Sequence, residues 1–377
     1  MKERRRVKSR SREVVGYIRM PAMFVLWVAV FAQSAAVAAD RLYAIYTARV
    51  MSQSMPWIAQ ETAIFKKYDL DVQLIFVTPG APAVAAILTG DSELSVQGAA
   101  ALSRALIQGN RDIAFIGGIK NILTHSFVAK QEIKKPENLK GKRIGVSRIG
   151  SNPHYFAVQA LRRFGLEARD VSFIQTGGAP ETLAALVAQG IDAAVLTSPT
   201  DAQALKLGYH YVIYGPDLRI PYAATTFNAR RSVIAKRPQV LGRFMRAMAE
   251  SAKILHTDKE LTYKVLEKYL RINDRKILEA GYNAEIKALE PRLAIKLDAL
   301  QANLDEISPI DPRAETSSPR RWWTPVISTR WKRAAFWISS GQASAERLKQ
   351  IALLSERPKS VTSRPGQDAG LAWGRGE

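Results

Sequence analysis

The 377-residue chain contains no cysteine. That absence excludes a disulfide framework, a Cys-ligated zinc or iron–sulfur centre, a thiol nucleophile and a lipid anchor on Cys. Histidine is scarce as well. The four residues, His125, His154, His210 and His256, show no metal-binding spacing such as H-E-x-x-H. There is no G-x-S-x-G nucleophile elbow and no phosphate-cradling P-loop. No catalytic residue, metal ion or cofactor is therefore expected. Tryptophan is nearly missing from the middle, where Trp57 alone of the seven lies within residues 40–312.

What is present is a globular composition, 47% hydrophobic and 24% charged, with mean hydropathy −0.11. The net charge of +21 divides unevenly: +6 in residues 1–39, +7 in 313–377 and +8 over the 273 residues between. Most of the excess sits at the two ends. The middle is mildly basic, which suits anionic ligands. No helix-turn-helix or basic stripe points to nucleic acid.

Residues 1–39 have the order of an export signal. Arg4, Arg5, Arg6, Lys8, Arg10, Arg12 and Arg19 precede an apolar run at 20–32, followed by small residues with A-x-A at Ala36-Val37-Ala38. The alternative is a retained anchor, but 13 apolar residues fall short of the ~20 that span a bilayer. A mature chain beginning near Asp40, cleaved near Ala39 and periplasmic, is expected. At the other end, residues 313–377 are rich in Arg and Ser and hold Trp322, Trp323, Trp331, Trp337 and Trp373. Composition changes abruptly after a helical pattern at 286–307. A reading-frame slip near 312–318 is the favoured explanation, and a disordered basic extension is the alternative.

The middle repeats one plan. A strand at 72–77, Thr78-Pro79-Gly80-Ala81-Pro82 and a helix to 88 are matched by a strand at 171–175, Thr176-Gly177-Gly178-Ala179-Pro180 and a helix to 188. Thr78/Thr176, Gly80/Gly178, Ala81/Ala179 and Pro82/Pro180 keep an offset of 98. Strands at 93–96 and 191–196 follow. Strands at 42–47 and 143–147, with helices at 56–65 and 153–164, precede. Each half reads β-α-β-α-β, an α/β unit with a mostly parallel sheet, and two units imply two lobes. A further strand at 225–229 and helices at 238–256, 258–269, 274–280 and 286–307 return the chain to the first lobe. Crossings are expected near 125–130 and 222–229. Lobe 1 would comprise 40–128 plus 224–312, and lobe 2 129–223. Pro56, Pro82, Pro153, Pro180 and Pro199 mark helix starts, with Asn152 and Ser198 as caps. In parallel α/β sheets those starts lie at the ligand-binding strand edge, and their free N–H groups favour anions.

The stretches from Trp57-Ile58-Ala59-Gln60-Glu61 through Phe65-Lys66-Lys67-Tyr68-Asp69-Leu70-Asp71-Val72, Leu139-Lys140-Gly141-Lys142-Arg143-Ile144-Gly145-Val146-Ser147, Gly150-Ser151, Gly190-Ile191-Asp192-Ala193-Ala194 and Ile220-Pro221-Tyr222 resemble the periplasmic solute-binding proteins of nitrate/sulfonate/taurine ABC importers, relatives binding thiamine-precursor pyrimidines included. The resemblance covers about 41–312. It implies a two-lobed clamshell with two crossover hinges, a monomeric receptor for a small anionic or heteroaromatic solute, and a permease and ATPase as partners. Two other proteins of this fold are disfavoured: a thiamine-pyrimidine synthesis enzyme, by the absence of Cys, and a LysR-type regulator, by an export signal where its DNA-binding domain would be. The implied ligand contacts are Arg49, Ser52, Gln53 and Ser54, Gly80-Ala81, Gly98-Ala99, Gly150-Ser151-Asn152 with His154, Gly178-Ala179, and Thr197-Ser198. Arg49 reads equally as a solvated loop residue, and His154 as a structural one. Tyr155 and Phe227 fit either stacking on a ligand or core packing.

Overall fold

The computed structural model describes residues 39–324. Residues 1–38, which hold nearly all of the expected export signal, and residues 325–377 lie outside them. Two five-stranded sheets organise the chain. The first contains β1 (Asp40–Tyr46), β2 (Leu70–Phe76), β3 (Leu94–Gln97), β4 (Ile113–Leu123) and β10 (Ile220–Arg230), in the order β2-β1-β3-β10-β4. The second contains β5 (Ser126–Ala129), β6 (Arg143–Val146), β7 (Ser172–Gln175), β8 (Ala193–Leu196) and β9 (His210–Ile213), in the order β7-β6-β8-β5-β9. The repeat maps onto this plan directly. β1 pairs in parallel with β2 and β3, and β6 pairs in parallel with β7 and β8. The fold is a mixed, mostly parallel α/β clamshell.

The fourth strand of each sheet is antiparallel to its neighbours, and it is here that the chain changes lobes. β5 enters the second sheet straight from β4, across Thr124 and His125. β10 returns to the first sheet and pairs antiparallel with β3 and β4. β10 serves both lobes. Ile220, Tyr222 and Ala224 of β10 pack in the second lobe's core, whereas Phe227 and Ala229 pack in the first. The boundaries 128/129 and 223/224 therefore fall inside β5 and β10.

Helices follow the strands: α1 (Met55–Glu61), α2 (Ile64–Lys67), α3 (Ala81–Thr89), α4 (Ala99–Ile107), α5 (Asn152–Arg163), α6 (Ala179–Val187) and α7 (Thr200–Lys206). A short α8 (Gly215–Leu218) precedes β10. After it come α9 (Arg231–Lys236), α10 (Pro238–Thr257), α11 (Lys259–Leu270), α12 (Arg275–Glu285), α13 (Leu297–Ile307) and α14 (Pro319–Trp322). Successive side chains of a strand point to opposite faces, and both faces are covered. In β8, Ala193 and Val195 join Phe127, Ile144 and Phe156, whereas Ala194 and Leu196 join Leu186 and Ile191. In β1, Leu42 and Ala44 pack with Trp57 and Phe244, and Ile45 with Leu102 and Phe115.

Two expectations need correction. The segment 286–307 is not one helix. A 3-10 turn (Ile286–Ala288) is followed by extended chain, and only Leu297–Ile307 is α-helical. Pro291 cannot donate within a helix, and the segment instead lies along β4. There Glu290 N donates to Ile119 O at 2.7 Å and Gly118 N to Leu293 O at 3.0 Å. The helix caps also shift by a residue. Asn152 is the first helical residue after Ser151, and Pro199 precedes α7.

Residues 313–324, the start of the compositionally distinct tail, pack on the first lobe. Trp322 is buried against Phe115, with ring centroids 6.3 Å apart, and Thr324 N donates to Phe115 O at 2.9 Å.

Candidate functional site

The carboxyl ends of the central parallel strands β1 and β3 in one lobe, and β6 and β8 in the other, lead into the loops where the candidate residues lie. After β1, Gln53 holds the loop in shape. Its Oε1 accepts from Thr47 N at 2.8 Å and Ala48 N at 3.1 Å, and its Nε2 donates to Thr47 Oγ1 at 3.2 Å. The Gln53 amide is thus occupied in positioning the loop. Ser52 accepts from Thr225 Oγ1 of β10 at 3.0 Å. Ser54, at the start of α1, is fully buried with its hydroxyl unpartnered. Arg49 is exposed, and its guanidinium lies 4.7 Å from the centre of the Phe76 ring at the end of edge strand β2.

After β3, Gly98 precedes α4. A Cβ on Gly98 would lie 2.9 Å from Asn152 Oδ1 and 3.2 Å from Ala224 O. Gly98 has an ordinary extended backbone, φ −67° and ψ 147°, so close approach across the cleft is what requires glycine here. Asn152, at the start of α5, donates to Ala224 O at 2.8 Å. Gly98, Ala99 and Asn152 are therefore brought together from opposite walls.

The loop after β6 is braced internally. Ser151 Oγ donates to Arg148 O at 2.6 Å and lies 3.0 Å from Ser147 Oγ. Gly150 O accepts from Arg104 of α4 at 3.1 Å, a second contact between the walls. His154 Nδ1 accepts from Gly150 N at 3.2 Å, which puts the proton of the neutral ring on Nε2. Burial, with Arg104 nearby, lowers the His154 pKa. The ring meets Phe173 edge-on at 4.7 Å.

After β8, Thr197 Oγ1 donates to Glu285 Oε1 of α12 at 3.0 Å, and Ser198 Oγ donates to Asp201 Oδ1 at 2.8 Å. Burial raises the Asp201 pKa against the hydrogen bonds it takes from Ser198, Tyr211 and Ala202 N. Gly80, Ala81, Gly178 and Ala179 follow β2 and β7, the outer edge strands, and so lie away from the Gly98–Asn152 contact. Tyr155 stacks on Tyr222 in the second lobe's core at 4.5 Å, and Phe227 is buried in the first.

Sequence reasoning missed two polar clusters at the junction of the lobes. In one, Glu285 meets Lys120, Thr124 and Thr197. In the other, Glu306 of α13 takes Arg104 at 2.6 Å and Tyr222 OH at 2.5 Å. Burial raises the pKa of both Glu306 and Tyr222. A signal existed for the first cluster. Lys120 and Asn121 interrupt the otherwise apolar β4, and Glu285 continues the buried face of α12 formed by Leu278, Gly281 and Tyr282.

Two sheets joined by exchanged antiparallel strands, with helix starts converging on one junction, define a two-lobed protein of the periplasmic-binding-protein fold. The family described as NMT1/THI5 like matches residues 54–260, more than half of the chain. The chain belongs to this family and is similar to binding proteins of the nitrate/sulfonate/taurine group. A taurine-binding periplasmic protein of Escherichia coli (strain K12) is 32% identical over 120 residues, 32% of this chain and 37% of that protein's length. Among solved structures, a protein of Bordetella bronchiseptica RB50 aligns with TM-score 0.68 at 19% identity, covering 78% of this chain and 96% of that one. The alkanesulfonate-binding protein SsuA of Xanthomonas axonopodis pv. citri, bound to MOPS, aligns with TM-score 0.61 at 17% identity, covering 74% and 95%. The desulfurization enzyme DszB aligns with TM-score 0.59 at 14% identity, covering 79% and 99%. At these identities the structural matches speak to the fold.

Proposed function

We propose that the protein is the periplasmic solute receptor of an ABC importer and captures a small organic sulfonate between its lobes for delivery to a permease–ATPase pair. The observation that carries this reading is the meeting of the walls at Gly98 and Asn152, in a chain of the NMT1/THI5-like family that is similar to taurine- and alkanesulfonate-binding proteins. Both residues stand where helices of at least nine residues begin, α4 and α5, and neither helix has a side-chain cap at its N-terminus. Free N–H groups there, with a partial charge of about +0.5 per helix, suit an oxyanion and need no dedicated cation.

Catalysis is the weaker reading although DszB shares the fold. The chain has no thiol, and His154, the one histidine among the candidate residues, spends Nδ1 on its own loop.

A thermal-shift panel of taurine, MOPS, nitrate, acetate and a methylated pyrimidine tests the proposal. A ligand at 100 times its Kd stabilises the folded form by about 2.7 kcal/mol. Stabilisation by the sulfonates is expected. A shift with the pyrimidine alone, or with none of the five, would remove the sulfonate assignment.

A further inference from the structure

We propose that Glu285 and Thr197 form a latch that sets how far the ligand-free lobes open; this rests on the receptor reading above. Glu285 is 3% exposed and Lys120 4% exposed, with Nζ and Oε2 2.9 Å apart. Lys120 also donates to Thr124 Oγ1 at 3.0 Å, and Thr124 in turn donates to Glu285 Oε1. These three belong to β4, the β4–β5 crossing and α12, whose Leu278 and Tyr282 are anchored in the first lobe's core. Thr197 comes from the second lobe, at the end of β8, and its hydroxyl supplies the remaining hydrogen bond to Oε1 at 3.0 Å. The contact is tight beside it, since a Cβ on Gly281 of α12 would lie 2.7 Å from Pro199 Cβ.

The consequence follows from which partners move together. Rotation of the second lobe about the crossings leaves the Lys120–Glu285 pair intact and withdraws Thr197. A buried carboxylate that loses a donor pays the desolvation of that lone pair, the more so the deeper the site is buried. The other contact between the walls, Arg104 to Gly150 O, is different. The Arg104 side chain is 29% exposed, so water replaces that bond at little cost. The pair between Lys206 of α7 and Asp274, just before α12, is exposed and correspondingly weak. Of these three contacts the Thr197–Glu285 bond is the most buried, and it offers the greatest polar resistance to withdrawal of the β8 end.

The absence of native cysteine makes the test direct. Ala85 of α3 and Ala184 of α6 are both exposed, on the corresponding outer edges of the two lobes. Ala85→Cys and Ala184→Cys carry nitroxide labels, and the distance distribution is measured by double electron–electron resonance without solute. Thr197→Val, which removes the donor and keeps the shape, should move the population toward longer distances. A hydrogen bond to a charged group predicts a change in the open-to-closed ratio of roughly tenfold to a hundredfold. Glu285→Gln should shift it in the same direction. Ser198→Ala, which breaks a bond within the second lobe, should leave it alone. If Glu285→Gln fails to fold by circular dichroism, Thr197→Val decides. A folded Thr197→Val protein with the parent distribution overturns the latch, as does an equal shift in Ser198→Ala. The readout needs no solute, so the latch can fail while the thermal-shift panel upholds the receptor, and the reverse.

Discussion

Replacing Gly98 with valine separates closure of the lobes from folding of either lobe. The backbone at Gly98 accepts any residue, so the local conformational cost is small. The obstacle across the cleft is Asn152, whose Oδ1 the new Cβ would meet at 2.9 Å; Ala224 O, on the neighbouring strand β10, lies 3.2 Å from the same point. The Asn152 side chain can swing away, but it then gives up its 2.8 Å bond to Ala224 O, worth about 0.5–1.5 kcal/mol. Overpacking of this kind costs about 1–3 kcal/mol. Together these disfavour the closed form by about 2–4 kcal/mol, a penalty that opening relieves. Apparent affinity scales with the closed fraction, so solute binding should weaken roughly 30-fold to several hundredfold. The thermal midpoint without solute should barely move. Calorimetry with the tightest sulfonate of the panel and a melting curve of each protein measure both quantities. Unchanged affinity, or a loss of global stability as large as the loss of binding energy, would refute the reasoning. Either outcome would mean that Gly98 packs within its own lobe instead of facing the other.

Three further outcomes are expected. His125 is buried, and that burial, aided by the charge of Lys120, pushes its pKa down to about 3. Because the folded value lies below the unfolded value near 6.5, the neutral ring contributes stability above pH 6.5. That contribution is lost as pH falls toward 3, at up to about 1.4 kcal/mol per unit. Urea midpoints at pH 7, 6 and 5 should therefore fall more steeply for wild type than for His125→Asn, and parallel curves would count against a neutral buried ring. Trp322→Ala should destabilise by about 3–5 kcal/mol through lost packing on Phe115; an unchanged melting temperature would detach α14 from the core. Gly80 has φ +90° and Gly178 φ −129°. Gly80→Ala should accordingly cost about 1–3 kcal/mol and Gly178→Ala less than about 0.5 kcal/mol, compared by chemical denaturation. Equal losses would contradict the backbone argument.

Much of the architecture was legible because it is written locally. Strand and helix periods, proline near helix starts and the Gly-Ala-Pro repeat at an offset of 98 each involve a few consecutive residues. They locate β1–β3 and β6–β8 and the helices between them to within a few positions. The candidate residues at Gly98, Asn152 and Thr197 came from the family resemblance, which puts ligand contacts in the loops following central strands. Arg49 came the same way, and its charge singled it out. Charge does not say where a side chain points, and it lies over Phe76.

The sequence by itself determined that there are two α/β units, where their strands and helices run, and that helix starts gather at one edge of each sheet. Only the tertiary structure decided that the strands at the crossings, β5 and β10, run antiparallel to their neighbours, that residues 289–294 lie along β4 instead of continuing a helix, and that Glu285 finds Lys120 at a separation of 165 residues. The reason is physical. Hydrophobic periodicity follows from which face of an element is buried, a property of neighbouring residues. The choice of partner for a buried charge or an edge strand depends on closing long loops and on packing shapes that no short stretch encodes.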